Sequence, residues 1–123
     1  MLVTSQGSNM WRPLCVALSF LISSFGFAAN PKCDGPNDWA AMSAFAKLKN
    51  AGLVDNALVD FKKTKVTRIT SERIGKDMYR QVHRVVFTFF SGKTVEAMTI
   101  NVASNQECSE GEVEVIVISN ELW

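Results

Sequence analysis

The sequence predicts an α+β fold: one main helix near the amino end, packed on a curved four-stranded antiparallel meander. Three observations carry that expectation. Apolar residues recur at helical spacing between Asn37 and Gly52. After Lys62 the composition turns to Thr, Val, Ile, Phe and Tyr. Short turn signals then divide the remaining chain into four runs.

Ahead of the helix, Leu14 to Phe25 is an uncharged apolar segment of about 12 residues, preceded by Arg12. A membrane-spanning helix needs about 20 apolar residues. A secretory signal needs only a short apolar core, a preceding positive charge and small residues at the cut. Gly26-Phe27-Ala28 supplies small residues at the third and first positions before a cut after Ala28. The expected organisation is a signal peptide over residues 1–28 and a single domain over 29–123, periplasmic or secreted, with no stable membrane insertion. An uncleaved anchor is the alternative. Met10-Trp11-Arg12 offers a second start for the same signal. Bacterial lipidation places the acylated cysteine first after the cut, which fits neither Cys15 nor Cys33.

The run from Pro36 to Gly52 reads as a helix. Asn37 or Asp38 can cap the first free N–H groups, and Gly52 suits the left-handed position after the last turn. Its alanines raise helix propensity. Met42, Phe45 and Leu48, with Trp39 at the margin, are expected to form the buried face. Leu53, Val54, Ala57, Leu58 and Phe61 continue a helical spacing compatible with a short second helix.

Strands are expected at about 64–74, 78–90, 93–104 and 112–120. Gly75-Lys76-Asp77, Ser91-Gly92 and the polar loop Ser104 to Gly111 divide them. A two-residue turn at Ser91-Gly92 pairs Phe89 with Thr94 and Val85 with Met98. One face then carries Tyr79, Val85, Phe87, Phe89, Met98, Ile100 and Val102; the other carries Arg80, Arg84, Thr88, Thr99 and Asn101. A one-residue slip reverses sidedness, so this register is expected over a three-residue turn that sets Arg84 opposite Ile100. It leaves Glu96 on the apolar face. In the last strand Val113, Val115 and Val117 alternate with Glu112, Glu114, Ile116 and Ile118, and both sides become apolar. Ile116 and Ile118 then need cover from a second layer, a partner chain, the terminal Leu122-Trp123 or sheet curvature.

An oxidising compartment favours a disulfide between Cys33 and Cys108. Closing so long a loop stabilises a small domain by roughly 4 kcal/mol in the chain-entropy model. Redox catalysis wants a C-x-x-C pair, which the sequence lacks. His83 is the sole histidine, and a zinc site wants three or four ligands. Neither a metal nor a cofactor is expected.

Charge is segregated along the chain. Lys62 to Lys93 holds nine basic residues against Glu72 and Asp77, and Thr94 to Trp123 holds six Glu and no basic residue. Either the opposite charges cancel on neighbouring strands, or they orient a charged partner. Nucleic-acid binding is not expected of a near-neutral exported domain without an aromatic-basic motif.

A helix followed by a long antiparallel meander resembles the cystatin-like fold, over the whole expected domain. The resemblance implies a sheet wrapped around the helix. The cystatin inhibitory loop reads Q-x-V-x-G. The nearest stretch, Gln81-Val82-His83-Arg84-Val85, lacks that Val and Gly and lies inside a strand, so no inhibitory residue is carried over.

Two functional readings follow. In the first, the chain is a non-catalytic protein-binding module, similar in design to small exported inhibitors and immunity proteins. It blocks a toxin, a secreted effector or a cell-wall hydrolase through Asn105, Gln106, Glu107 and Glu110, around a tethered Cys108. In the second, a cystatin-like or NTF2-like pocket lined by Tyr79, Gln81 and His83 holds a small ligand, with His83 as acid or base. No catalytic residue is assigned in the first reading. Homodimerisation through an open sheet edge is compatible with both.

Overall fold

A computed structural model describes residues 30–120. The expected signal segment, Met10, Cys15 and Leu122-Trp123 lie outside them. The elements are α1 (Trp39–Asn50), a 3-10 turn at Phe61–Lys63, β1 (Lys65–Gly75), β2 (Met78–Thr88), β3 (Thr94–Ala103) and β4 (Glu114–Asn120). The strands form one antiparallel sheet in the order β1-β2-β3-β4. The sheet is not closed into a barrel, and α1 lies against one face, so the chain has the α+β meander its sequence predicts.

Asp38 precedes α1 in extended conformation, φ −80° and ψ 166°. Its carboxylate turns back rather than forward, and Oδ2 accepts the Gly35 N–H at 2.7 Å. At the other end the Leu53 N–H donates to the Leu48 carbonyl and the Gly52 N–H to that of Lys49. With Gly52 at φ +76°, this is the Schellman closure that a left-handed glycine allows.

The buried face of α1 differs from the expected one. Ala40, Ala41, Ala44 and Leu48 are buried, whereas Met42 is 58% exposed and Trp39 42%. Phe45 is half-buried against the core. Small side chains let the helix backbone sit close to a sheet whose facing positions, Val95 and Ala97, are themselves small. A Met42-centred face would hold the helix further off.

Residues 53–60 form turns, not a second helix. Asp55 accepts the Ala57 N–H at 2.8 Å, Asp60 accepts from Lys62, and Val59 bridges to Phe89. Short acidic side chains offer the backbone local acceptors that compete with helix continuation.

The β2–β3 hairpin corrects the expected register. Thr88 pairs with Thr94, Phe87 with Val95, Val85 with Ala97 and His83 with Thr99. Phe90, Ser91 and Gly92 make a three-residue loop. The Phe89 N–H donates to the Lys93 carbonyl at 2.8 Å, and the Gly92 N–H to that of Phe89 at 2.9 Å. Gly92 at φ +91° supplies the left-handed residue that such loops require. Against the two-residue turn, β3 slips by one residue and its sides exchange. Val95, Ala97, Thr99, Asn101 and Ala103 are buried, and Met98, Ile100 and Val102 turn outward with partial exposure. Glu96 thereby leaves the apolar side and pairs with Arg84 on the outer face.

The core joins Leu48, Val54, Val59, Val85, Phe87, Phe89 and Val95. Phe45 meets Phe87 and Phe61 edge-on, with centroids 5.5 and 5.0 Å apart. Irregularities between Arg68 and Thr70, and between Arg73 and Gly75, interrupt the β1–β2 ladder, and such bulges bend a strand.

Candidate functional site

The sulfurs of Cys33 and Cys108 are bonded, with Cα atoms 5.7 Å apart across a sequence separation of 75. The bond joins the segment leading into α1 to the loop ahead of β4. That loop is also tied from within. The Ser104 N–H donates to the Glu107 carbonyl at 2.8 Å, and the Glu110 N–H to that of Val102 at 3.1 Å. Ser104 Oγ accepts the N–H groups of Gln106 and Glu107 and donates to Glu110 Oε1 at 2.9 Å. Ser109 Oγ donates to Glu107 Oε1 at 2.6 Å. Trp39 Nε1 on α1 reaches the Gly111 carbonyl at 3.3 Å, and Lys47 Nζ that of Val113.

Asn105, Gln106, Glu107 and Glu110 are all exposed. A shallow cleft of about 220 Å³ is lined by Asn105, Gln106 and Glu107 together with Pro31, Lys32, Ser104 and the disulfide. The structure thus brings three of the four expected loop residues to one cleft and ties the fourth, Glu110, to the same loop through Ser104. It adds Asp77, from the β1–β2 turn, as their outside anchor through Asn105.

Tyr79, Gln81 and His83 share the inner face of β2, as expected, and the shifted register brings Thr99 and Asn101 beside them. Gln81, His83 and Thr99 have no exposed surface, Asn101 has 2% and Tyr79 4%. The segment leading into α1 crosses this cluster as a strap. The Pro31 carbonyl accepts from both Arg68 Nη1 and Gln81 Nε2 at 2.9 Å. Gln81 Nε2 also reaches Ser71 Oγ at 3.1 Å, and Asn101 Nδ2 donates to the Cys108 carbonyl at 3.3 Å.

Gln81 Oε1, Asn101 Oδ1 and both ring nitrogens of His83 have no hydrogen-bond partner. Burial lowers the His83 pKa from its ordinary 6.5; the Asn101 side chain, and Asp34 at longer range, oppose that shift. A general base needs a reachable substrate, and His83 has no exposed surface at which to meet one. A cleft of about 250 Å³ lies elsewhere, at Met42, Phe45, Phe61, Phe87 and Asn56.

No family model, curated protein or solved structure matches this chain. Among the described residues, no group of three His, Cys, Asp or Glu side chains is placed to hold a metal ion. No described helix is long and apolar enough to cross a membrane. Sequence reasoning missed Asp77, Arg68 and Asn101 as members of these two clusters. The only available signal was the correct hairpin register, which sets Asn101 opposite Gln81.

Proposed function

We propose that this chain is an exported, non-catalytic protein-binding module whose Ser104 to Gly111 loop enters and blocks the basic cleft of an enzyme. A secreted effector or a hydrolase of an anionic cell-wall polymer is the expected class, in the manner of inhibitor and immunity proteins. One observation carries this reading: the loop is fixed by a disulfide, a serine hub and Asp77, while its acidic side chains remain exposed. A loop already ordered before binding spends little conformational entropy on association. Its carboxylates steer it towards a cationic surface.

The test is calorimetric titration of the disulfide-bonded chain against cell-wall hydrolases with basic clefts, with enzyme assays alongside. Binding with inhibition is expected, weakened about tenfold or more by Glu107→Lys with Glu110→Lys. Hydrolases that bind the reversed-charge variant equally well would exclude the loop as the contact.

A second reading draws on the unpartnered polar atoms of Gln81, His83 and Asn101. These suit a small polar ligand held beneath the Pro31 strap. It expects a small molecule to co-purify with the chain and to be lost in Gln81→Leu. A chain that purifies without any such molecule removes this reading.

A further inference from the structure

The face of the sheet turned away from α1 is not the polar surface that a solvated antiparallel sheet presents. Val82 and Val86 on β2, Met98, Ile100 and Val102 on β3, and Ile116 on β4 all turn towards it. Val82 stands opposite Ile100, and Met98 lies between Arg84 and Ile116. Ile116 is 49% exposed. The aliphatic residues form one strip across three strands.

The charges around this strip are divided by strand. Lys65, Arg80 and Arg84 accompany Glu72 on the β1–β2 half, and Glu96 and Glu114 are the charges of the β3–β4 half. Within one copy Arg84 pairs with Glu96 and Arg80 with Glu72, and the halves keep opposite net charge. A sheet basic on one side and acidic on the other is complementary to itself. A two-fold axis parallel to the strands lays β1 over β4 of a second copy, and basic half over acidic half. An axis across the strands would lay like charge on like. The footprint also suffices. Four strands span about 19 Å, and ten residues of β3 span about 34 Å. That gives roughly 650 Å², on the scale of the about 800 Å² per partner that standard interfaces cover.

We propose that the outer sheet face binds a second copy of this chain, forming a sandwich of two four-stranded sheets with the helices outside. The symmetry is closed, with β2 and β3 of each copy at the centre. Because the axis runs along the strands, both Ser104 to Gly111 loops emerge at the same end. The dimer stands whether or not those loops bind an enzyme.

Sedimentation equilibrium on the disulfide-bonded chain tests it. A dimer is expected. Arg80→Glu alone and Glu114→Arg alone should each weaken dimerisation about tenfold or more, with unchanged thermal melts, since both residues are exposed. Mixing the two variants should restore a heterodimer, because the unaltered acidic half of the first then lies over the unaltered basic half of the second. Ile100→Lys should dissociate all combinations. A monomeric wild-type chain overturns the proposal. So does a dimer indifferent to these substitutions, or a mixture that stays monomeric.

Discussion

Asp77 and Asn105, 28 residues apart in sequence, hold the two hairpin ends of the sheet together through a single oxygen. Oδ1 of Asp77 accepts the Asn105 backbone N–H at 3.0 Å and its side-chain Nδ2 at 2.7 Å. Asp77 itself sits at φ +51°, in the left-handed region, which Asp tolerates better than most residues.

Asp77→Gly therefore removes the two bonds without adding backbone strain. The expected loss is about 1 kcal/mol for exposed bonds of this kind. Hydrogen exchange should quicken at Asn105, Gln106 and Glu107 and stay unchanged in β2. Uniformly faster exchange would mean that the loop is held by other means.

Cys33→Ser with Cys108→Ser should lower stability by roughly 4 kcal/mol, read as a fall in the urea midpoint with the fold retained. Loss should be largest in the strap, where the Pro31 carbonyl holds Arg68 and Gln81. An unchanged midpoint would show that these side-chain bonds alone retain the segment.

The helix face gives a contrast within one element. Ala44→Leu should cost about 1–3 kcal/mol by overpacking, and Leu48→Ala about 2–5 kcal/mol by cavity formation. Met42→Ala, on the exposed side, should lie within about 0.5 kcal/mol of wild type. The reverse ranking would place the other face of α1 against the sheet.

His83 makes stability depend on pH. Its folded pKa is below the unfolded value of 6.5 because burial disfavours the charged ring. Its contribution is fully present above about pH 6.5. It falls as pH drops from there through the folded pKa, because the unfolded chain takes up the proton first. The limiting slope for one proton is about 1.4 kcal/mol per pH unit. As the sole histidine, it should account for the dependence between about pH 5 and 6.5. Urea midpoints across that range should fall for wild type and stay level for His83→Gln. Parallel curves would rule out His83 as the source.

The helix and the four strands were legible in the sequence because each rests on local chemistry, whereas the second helix expected from Leu53 to Phe61 gave way to turns. Gly52 ends the helix as its residue type allows, and Lys76-Asp77 turn the first hairpin with Gly75 paired to Met78 at its foot. The Cys33–Cys108 pair follows from having two cysteines in the predicted domain. Sidedness was not legible. Met98, Ile100 and Val102 exceed Ala97, Thr99 and Asn101 in hydrophobicity, so a count of apolar surface favours the wrong side of β3. The sheet instead presents its small residues to the alanine strip of α1. That fit involves two distant segments, and no window of sequence contains both. The buried polar cluster was half visible for the same reason: Tyr79, Gln81 and His83 lie on one strand, while Asn101 joins them only through the register.

The close seating of α1 on β3 leaves a signature that natural variation can be expected to record. Ala40, Ala41, Ala44, Ala97 and Ala103 are all buried, none with more than 1% of its surface exposed. Descendants of this sequence should keep small residues there even while Met42 and Trp39 drift. Where Ala44 has grown, a compensating shrinkage should appear at Val95 or Ala97 in the same lineage.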